Sequence, residues 1–126
     1  MMGWSLVNGP LSKLHEELVK SQPQGGSAVT LGVFDGVHAG HRHLINHLQE
    51  SATERGLEPI VVTFINHPRS VVRPDERVVW LTTWEDRLSL LSATGTRVAP
   101  VTFTQEVMKL SAEEFLEELW AGLRIS

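Results

Sequence analysis

The chain has 126 residues, 41% of them hydrophobic and 21% charged, the make-up of one globular domain with enough length to bury a core. It has no cysteine, which excludes disulfides, thiolate nucleophiles and cysteine-ligated zinc. A net charge of −4 argues against nucleic-acid binding driven by phosphate neutralisation, and with no signal-peptide core and no apolar run near the roughly 20 residues of a membrane helix, a soluble cytoplasmic protein is expected.

Residues 1–27 are weakly specified: Leu11, Leu14 and Leu18 sit at helical spacing, and Gln22-Pro23-Gln24-Gly25-Gly26-Ser27 breaks the pattern. Ala28–Phe34 then reads as a short β-branched strand buried on both faces. A glycine-rich turn, Asp35–Gly40, follows it. Beyond the turn Leu44, Ile45 and Leu48 make a helical stripe that stops at Gly56, a residue suited to a left-handed cap. Pro59–Phe64 is a second buried strand, leading into a loop punctuated by Asn66-His67-Pro68 and Arg73-Pro74-Asp75. Thr82 with Glu85 predicts a capping box, opening a helix with Leu88 and Leu91 inward and an end at Gly95. A third strand is expected over Arg97–Phe103. A second capping box, Ser111 with Glu114, opens a helix with Phe115, Leu119 and Trp120 inward and an end near Gly122.

Strands alternating with helices predict an α/β fold, a Rossmann-like parallel sheet with helices on both faces. Arg124–Ser126 stands where a fourth strand would start, so the sheet is expected to be incomplete at the C-terminus, with an exposed edge open to self-association. Ligands of such sheets bind beyond the carboxyl ends of the strands. The first of those turns holds the compositional oddity of the chain, because four of its six histidines lie between positions 38 and 47.

Gly32, Gly36 and Gly40 recur at intervals of four and let the backbone approach a ligand closely. The helix after them offers free amides and the positive end of its dipole to an anion. His38 and His41 project to nearly the same side, with Gly40 leaving the approach clear. These parts suit phosphoryl or nucleotidyl transfer, with the imidazoles donating to the phosphate rather than acting as nucleophiles. Their charge should depend on the ligand, since a helix N-terminus lowers an imidazole pKa and a bound polyphosphate raises it. Other readings stand beside this one. His38-x-x-His41 with His43 and His47 is open to zinc or nickel, although spacing supplies no third ligand. The glycine spacing also occurs in packed membrane helices, but here it has no apolar span. His15 reads as a surface residue, and His67 and Arg69, leaving the second strand, as neighbours of the first turn.

The run Leu31-Gly32-Val33-Phe34-Asp35-Gly36-Val37-His38-Ala39-Gly40-His41-Arg42-His43-Leu44-Ile45 resembles the signature of prokaryotic FAD synthetases. That family is the adenylyltransferase module of bifunctional riboflavin kinase/FMN adenylyltransferase, within the nucleotidylyltransferase superfamily. The likeness continues through Val62-Thr63-Phe64, His67-Pro68, Leu81-Thr82-Thr83 with Glu85, Phe103-Thr104-Gln105-Glu106 and Leu110–Phe115. It implies transfer of AMP from ATP to the phosphate of FMN with Mg2+ assisting, ATP and FMN being the small-molecule partners. By that resemblance His38 and His41 contact the ATP phosphates. Gly32, Phe34, Asp35, Gly36 and Gly40 shape the nucleotide pocket, and Thr63, His67 and Pro68 line its rim. Ile65-Asn66 departs from the family's acidic or small residue and proline before His-Pro. The family's later Gly-x-x-Phe-x-Phe-Gly and Ser-Ser-Thr-x-Ile-Arg-like segments and its riboflavin kinase domain do not occur in these residues. The chain therefore reads as one partial FMN adenylyltransferase-like domain over residues 1–126. The alternatives are a non-catalytic ATP- or flavin-binding subunit and an adenylyltransferase acting on another phosphate-bearing acceptor.

Overall fold

The three β-branched runs pair with one another in the computed structural model, which describes residues 9–126. Residues 1–8, the start of the weakly specified stretch, lie outside the described residues. β1 (Ser27–Gly32), β2 (Glu58–Phe64) and β3 (Arg97–Val101) form a parallel sheet in the order β1-β2-β3. Val29 lies opposite Ile60, and Ile60 opposite Arg97. Parallel neighbours need crossover connections. Here α2 (Ala39–Arg55) joins β1 to β2, while α3 (Pro68–Val72) and α4 (Trp84–Ser92) join β2 to β3. α1 (Ser12–Lys20) precedes the sheet, and α5 (Gln105–Met108) and α6 (Ala112–Leu123) follow it.

Alternation along β2 divides the interior into two layers. Ile60, Val62 and Phe64 pack with Leu14 and Leu18 of α1 and Leu119 and Leu123 of α6. Val61 packs on the other face with Ile45 of α2 and Leu91 of α4. The sheet thus carries helices on both faces, the α/β architecture expected. Among the described residues no helix is long and apolar enough to cross a membrane.

β1 differs from its expected form. It ends at Gly32 and is only partly buried, with Leu31 38% exposed, because β2 flanks it on one side alone for most of its length. On the other flank Ile125 forms a single parallel bridge to Ser27: Ser27 N–H donates to Arg124 O, and Ser126 N–H to Ser27 O. Having crossed to β3 on one side, the chain returns through α6 to the opposite side of β1. The sheet reverses its winding there, and the carboxyl end of β1 becomes its topological switch point.

Several side chains lie elsewhere than expected. Ile45 and Ala52 are buried with Leu48 half-buried, whereas Leu44 is 44% exposed; Gly56, at φ +67°, caps α2 as foreseen. β3 stops at Val101, not Phe103, because side chains take over its pairing. Thr102 N–H and hydroxyl donate to the Glu17 carboxylate, and the Phe103 backbone exchanges two bonds with the Asn66 side chain. His15 is buried, not superficial, since it follows Leu14 on the inward face of α1 and bonds Glu118 of α6 through Nε2. α6 keeps its Ser111–Glu114 capping box but runs past Gly122 to Leu123, closing on Arg124 at φ +53°.

Leu119 is 1% exposed and its neighbour Trp120 58% exposed, so Trp120 points away from the core it was expected to fill. Leu119→Ala should cost about 2–5 kcal/mol of stability by leaving a cavity. Trp120→Ala should cost under about 1 kcal/mol, as is usual for surface changes. Urea denaturation of the two variants measures the contrast.

Candidate active site

Between β1 and α2 the backbone adopts positive φ at Phe34 (+57°), Gly36 (+82°) and Val37 (+42°). Such angles are strained for Phe and more so for a β-branched residue. Burial holds them: Phe34 and Val37 pack against Ile45, Val61 and Leu91. A side chain at Gly32 could not coexist with this turn, since a Cβ there would lie 2.8 Å from the Phe34 ring.

The turn delivers His38 as the N-cap of α2. Its Nδ1 accepts from the Gly40 amide at 3.1 Å, so the proton of the neutral ring sits on Nε2. A Cβ on Gly40 would lie 3.0 Å from that ring. His41 stacks on His38 with centroids 3.7 Å apart and meets Phe34 edge-on at 5.1 Å. The structure therefore brings the two predicted histidines together. It also uses one amide expected for an anion, because that of Gly40 serves His38. His41 Nδ1 is buried without a hydrogen-bond partner among the described residues. Burial, and then the neighbouring His38, lower the His41 pKa below its ordinary 6.5, leaving a neutral ring at pH 7. Beside it His38, Ala39 and Gly40 are exposed, so the corner opens to solvent.

Asp35 works as a tether. Its carboxylate accepts from Leu81 N–H at 2.8 Å and from Thr82 N–H and hydroxyl at 3.0 and 2.7 Å. Burial alone would raise its pKa, but these bonds and then the Arg87 charge outweigh it, so the carboxyl lies below its ordinary 3.8. Occupied in this way, Thr82 cannot cap α4. Thr83 does so instead, accepting from Asp86 N–H, one residue later than the sequence pattern predicts.

Thr63, expected at the rim, is fully buried opposite Gly32, and its hydroxyl donates to Val33 O at 3.0 Å. His67 caps α3, its Nδ1 accepting from Arg69 N–H, and Pro68 occupies the first turn where its missing N–H costs nothing. The His67 ring packs edge-on against Trp80 at 5.3 Å. Trp80 is followed directly by the residues that Asp35 holds, so His67 is connected to the first turn through segment 80–82.

Sequence reasoning missed Arg87. It takes the inward position on α4 assigned to Leu88, which is only half-buried. Arg87 is 1% exposed and donates to Val33 O at 2.8 Å and Ile65 O at 2.9 Å. Its guanidinium lies 4.4 Å from the Trp80 ring centroid and 4.8 Å from that of Trp84. The available signal was an arginine one helical turn before Leu91 and three residues after a tryptophan, on the apolar side of a capped helix.

No three His, Asp or Glu side chains gather as metal ligands among the described residues, and His43 and His47 point into solvent.

The profile of the FAD synthetase family matches residues 20–126. The chain belongs to that family. It is 34% identical over 113 residues to the bifunctional riboflavin kinase/FMN adenylyltransferase of Bacillus subtilis (strain 168), covering 88% of this chain and 36% of that protein. With the enzyme of the same name from Escherichia coli (strain K12) it shares 36% over 98 residues, 77% of this chain and 31% of that one. The chain thus spans about a third of the length of these curated relatives. A crystal structure described as a macrolide-efflux protein from Streptococcus pneumoniae superposes with a TM-score of 0.67 at 22% identity, over 81% of this chain and 37% of that one. At that identity the likeness is one of fold.

Asp35 and His41 each have a folded-state pKa below the ordinary value, so the unfolded chain binds more protons and stability falls as pH falls. The windows differ. His41 contributes fully above its ordinary 6.5 and loses that contribution as pH drops below it; Asp35 does the same below 3.8. Urea midpoints measured from about pH 3 to about pH 8 should show both declines. His41→Asn should flatten the upper one and Asp35→Asn the lower.

Proposed function

We propose that the chain carries the ATP-binding part of an FMN adenylyltransferase site. In the reaction an oxygen of the FMN phosphate attacks the α-phosphorus of ATP. The bond from that phosphorus to the oxygen bridging toward the β-phosphate breaks, so FAD forms and pyrophosphate leaves. The observation that carries this reading is the stacked His38–His41 pair at the start of α2, beside the switch point of a parallel sheet. Family membership supports it.

His38, whose Nε2 carries the proton, and His41, stacked beside it, donate to phosphate oxygens and stabilise the charge that develops in transfer. Gly32, Phe34, Gly36 and Gly40 give the turn its shape, and Asp35 anchors it to segment 81–82. His67 and Pro68 form the rim, with Thr63 behind it as a support that does not touch the ligand. Mg2+ is implied by the family; among the described residues no three His, Asp or Glu gather that could hold it, and the Asp35 carboxylate is engaged by three donors. A chain that takes ATP and FMN as substrates would act in the cytoplasm. The flank of β1 beyond Ser27 is the surface through which copies would associate.

The spanned third of the relatives' length also favours a second outcome, in which this part binds ATP without turning it over. Supplying ATP, FMN and Mg2+ and assaying FAD separates the two, with ATP-dependent thermal stabilisation measured alongside. His38→Ala and His41→Ala should each weaken ATP stabilisation, and should lower any FAD formation about 10²-fold or more. A polyphosphate raises the pKa of a neutral His41, so ATP binding near pH 6.5 should take up protons. Calorimetry in buffers of different ionisation enthalpy detects this, and His41→Ala should reduce it. Unchanged ATP binding in both histidine variants would sink the assignment.

A further inference from the structure

Behind the histidine corner lies a buried charge that the reaction does not consume. Burying a guanidinium is costly unless its hydrogens find partners, and an aliphatic residue would fill the inward face of α4 without that cost. Arg87 Nε is left without a partner among the described residues, and what distinguishes the side chain is the identity of the two partners that its terminal nitrogens find. Val33 is the first residue beyond β1 and Ile65 the first beyond β2. Strands that pair in register up to Gly32 and Thr63 separate at that point. From Val33 the chain runs on to His38 and His41, and from Ile65 it runs on to His67. One rigid planar fork thus bonds the base of both loops, and Trp80 and Trp84 hold it from the sides. Trp80 also packs on His67, and Asp35 places its negative charge toward Arg87 while holding Leu81 and Thr82. The contacts of Arg87 therefore reach each part of the corner, though the guanidinium itself is closed off from solvent.

We propose that Arg87 is a positioning residue: its guanidinium fixes the spacing between the His38–His41 turn and the His67 loop. The link to catalysis rests on the adenylyltransferase reading, whereas the spacing itself does not. Lysine cannot replace the fork, because one ammonium is a point charge without the planar pair of donors that reaches two carbonyls at once.

The test compares Arg87→Lys with Ser111→Ala, which removes a helix cap without touching either loop. In the ligand-free 126-residue chain, carbon–proton correlation spectra of the imidazoles should show His67 and His41 signals displaced together in Arg87→Lys and unmoved in Ser111→Ala. If the His67 and His41 signals of a folded Arg87→Lys protein stay in place, the positioning role is overturned whatever the activity. Where FAD formation is measurable, Arg87→Lys should lower kcat about ten- to a hundredfold while KM for ATP changes less than about threefold, since small misplacements act mainly on the reacting geometry. Adding His67→Ala should then slow the enzyme no further. Fully additive losses, or a loss matching only the unfolded fraction, would make Arg87 a strut for stability alone. No FAD from the parent chain, with displaced imidazole signals in Arg87→Lys, would count against catalysis and leave the positioning role supported. Should Arg87→Lys fail to fold, Trp84→Phe loosens one side of the clamp and should displace the same signals by a smaller amount. Unmoved signals in that variant would also overturn the proposal.

Discussion

Adjacent strands of a parallel sheet stop sharing hydrogen bonds at their carboxyl ends, and the polar groups released there need other partners. Here the released carbonyls of Val33 and Ile65 both accept from Arg87. The whole upper edge of the fold is arranged around that buried cation. Two tryptophans cover its faces, a carboxylate stands near it, and the same carboxylate gathers the backbone of Leu81 and Thr82. A charge in such a place is costly to bury, and the guanidinium offsets that cost through its two terminal nitrogens, while its Nε is buried without a partner among the described residues. Segment 80–82, the two strand ends and the start of α4 all meet at this one side chain.

Strain in the first turn belongs to the same arrangement. Phe34 and Val37 occupy backbone angles that most side chains avoid, and only their burial against α2, α4 and β2 keeps them there. The consequence is directional. Reversing the chain within so few residues leaves His38 at the N-cap and turns its Nδ1 back onto Gly40, so that its protonated nitrogen faces outward. A relaxed turn of another shape would place a cap of some kind at the same helix, but not an imidazole stacked on a second imidazole.

Much of this was legible in the sequence, and the parts that were not have physical causes. The strands could be read because β-branched runs bounded by turn residues have few other outcomes. Gly56, Ser111 and Glu114 could be read because capping is local. Burial on the helices was read less well, since a stripe of leucines does not say which edge of the stripe faces inward; Leu44 and Trp120 lie outside it, and Arg87 lies within. The cap of α4 slipped by one residue because Thr82 is claimed by Asp35, a partner remote in sequence. The polar atoms of Thr63 and Asp35 bond the protein itself, to Val33 O and to segment 81–82. Motif reading locates a residue in a corner without saying whether its polar atoms face the ligand or the protein. Asn66 illustrates the reverse: it departs from the family pattern, yet its side chain stands in for a strand and closes the gap between β2 and the end of β3.

The histidine pair combines close stacking with partial burial. Two imidazoles stacked at 3.7 Å repel each other once both are protonated, and burial already disfavours the charged form of His41. The His41 ring is therefore neutral at pH 7, with its Nδ1 buried and without a hydrogen-bond partner among the described residues. A polyanion changes the balance, because it supplies the opposite charge that permits the second proton. Affinity for such a ligand then includes the free energy of that protonation, which a neutral ligand of the same shape would not gain.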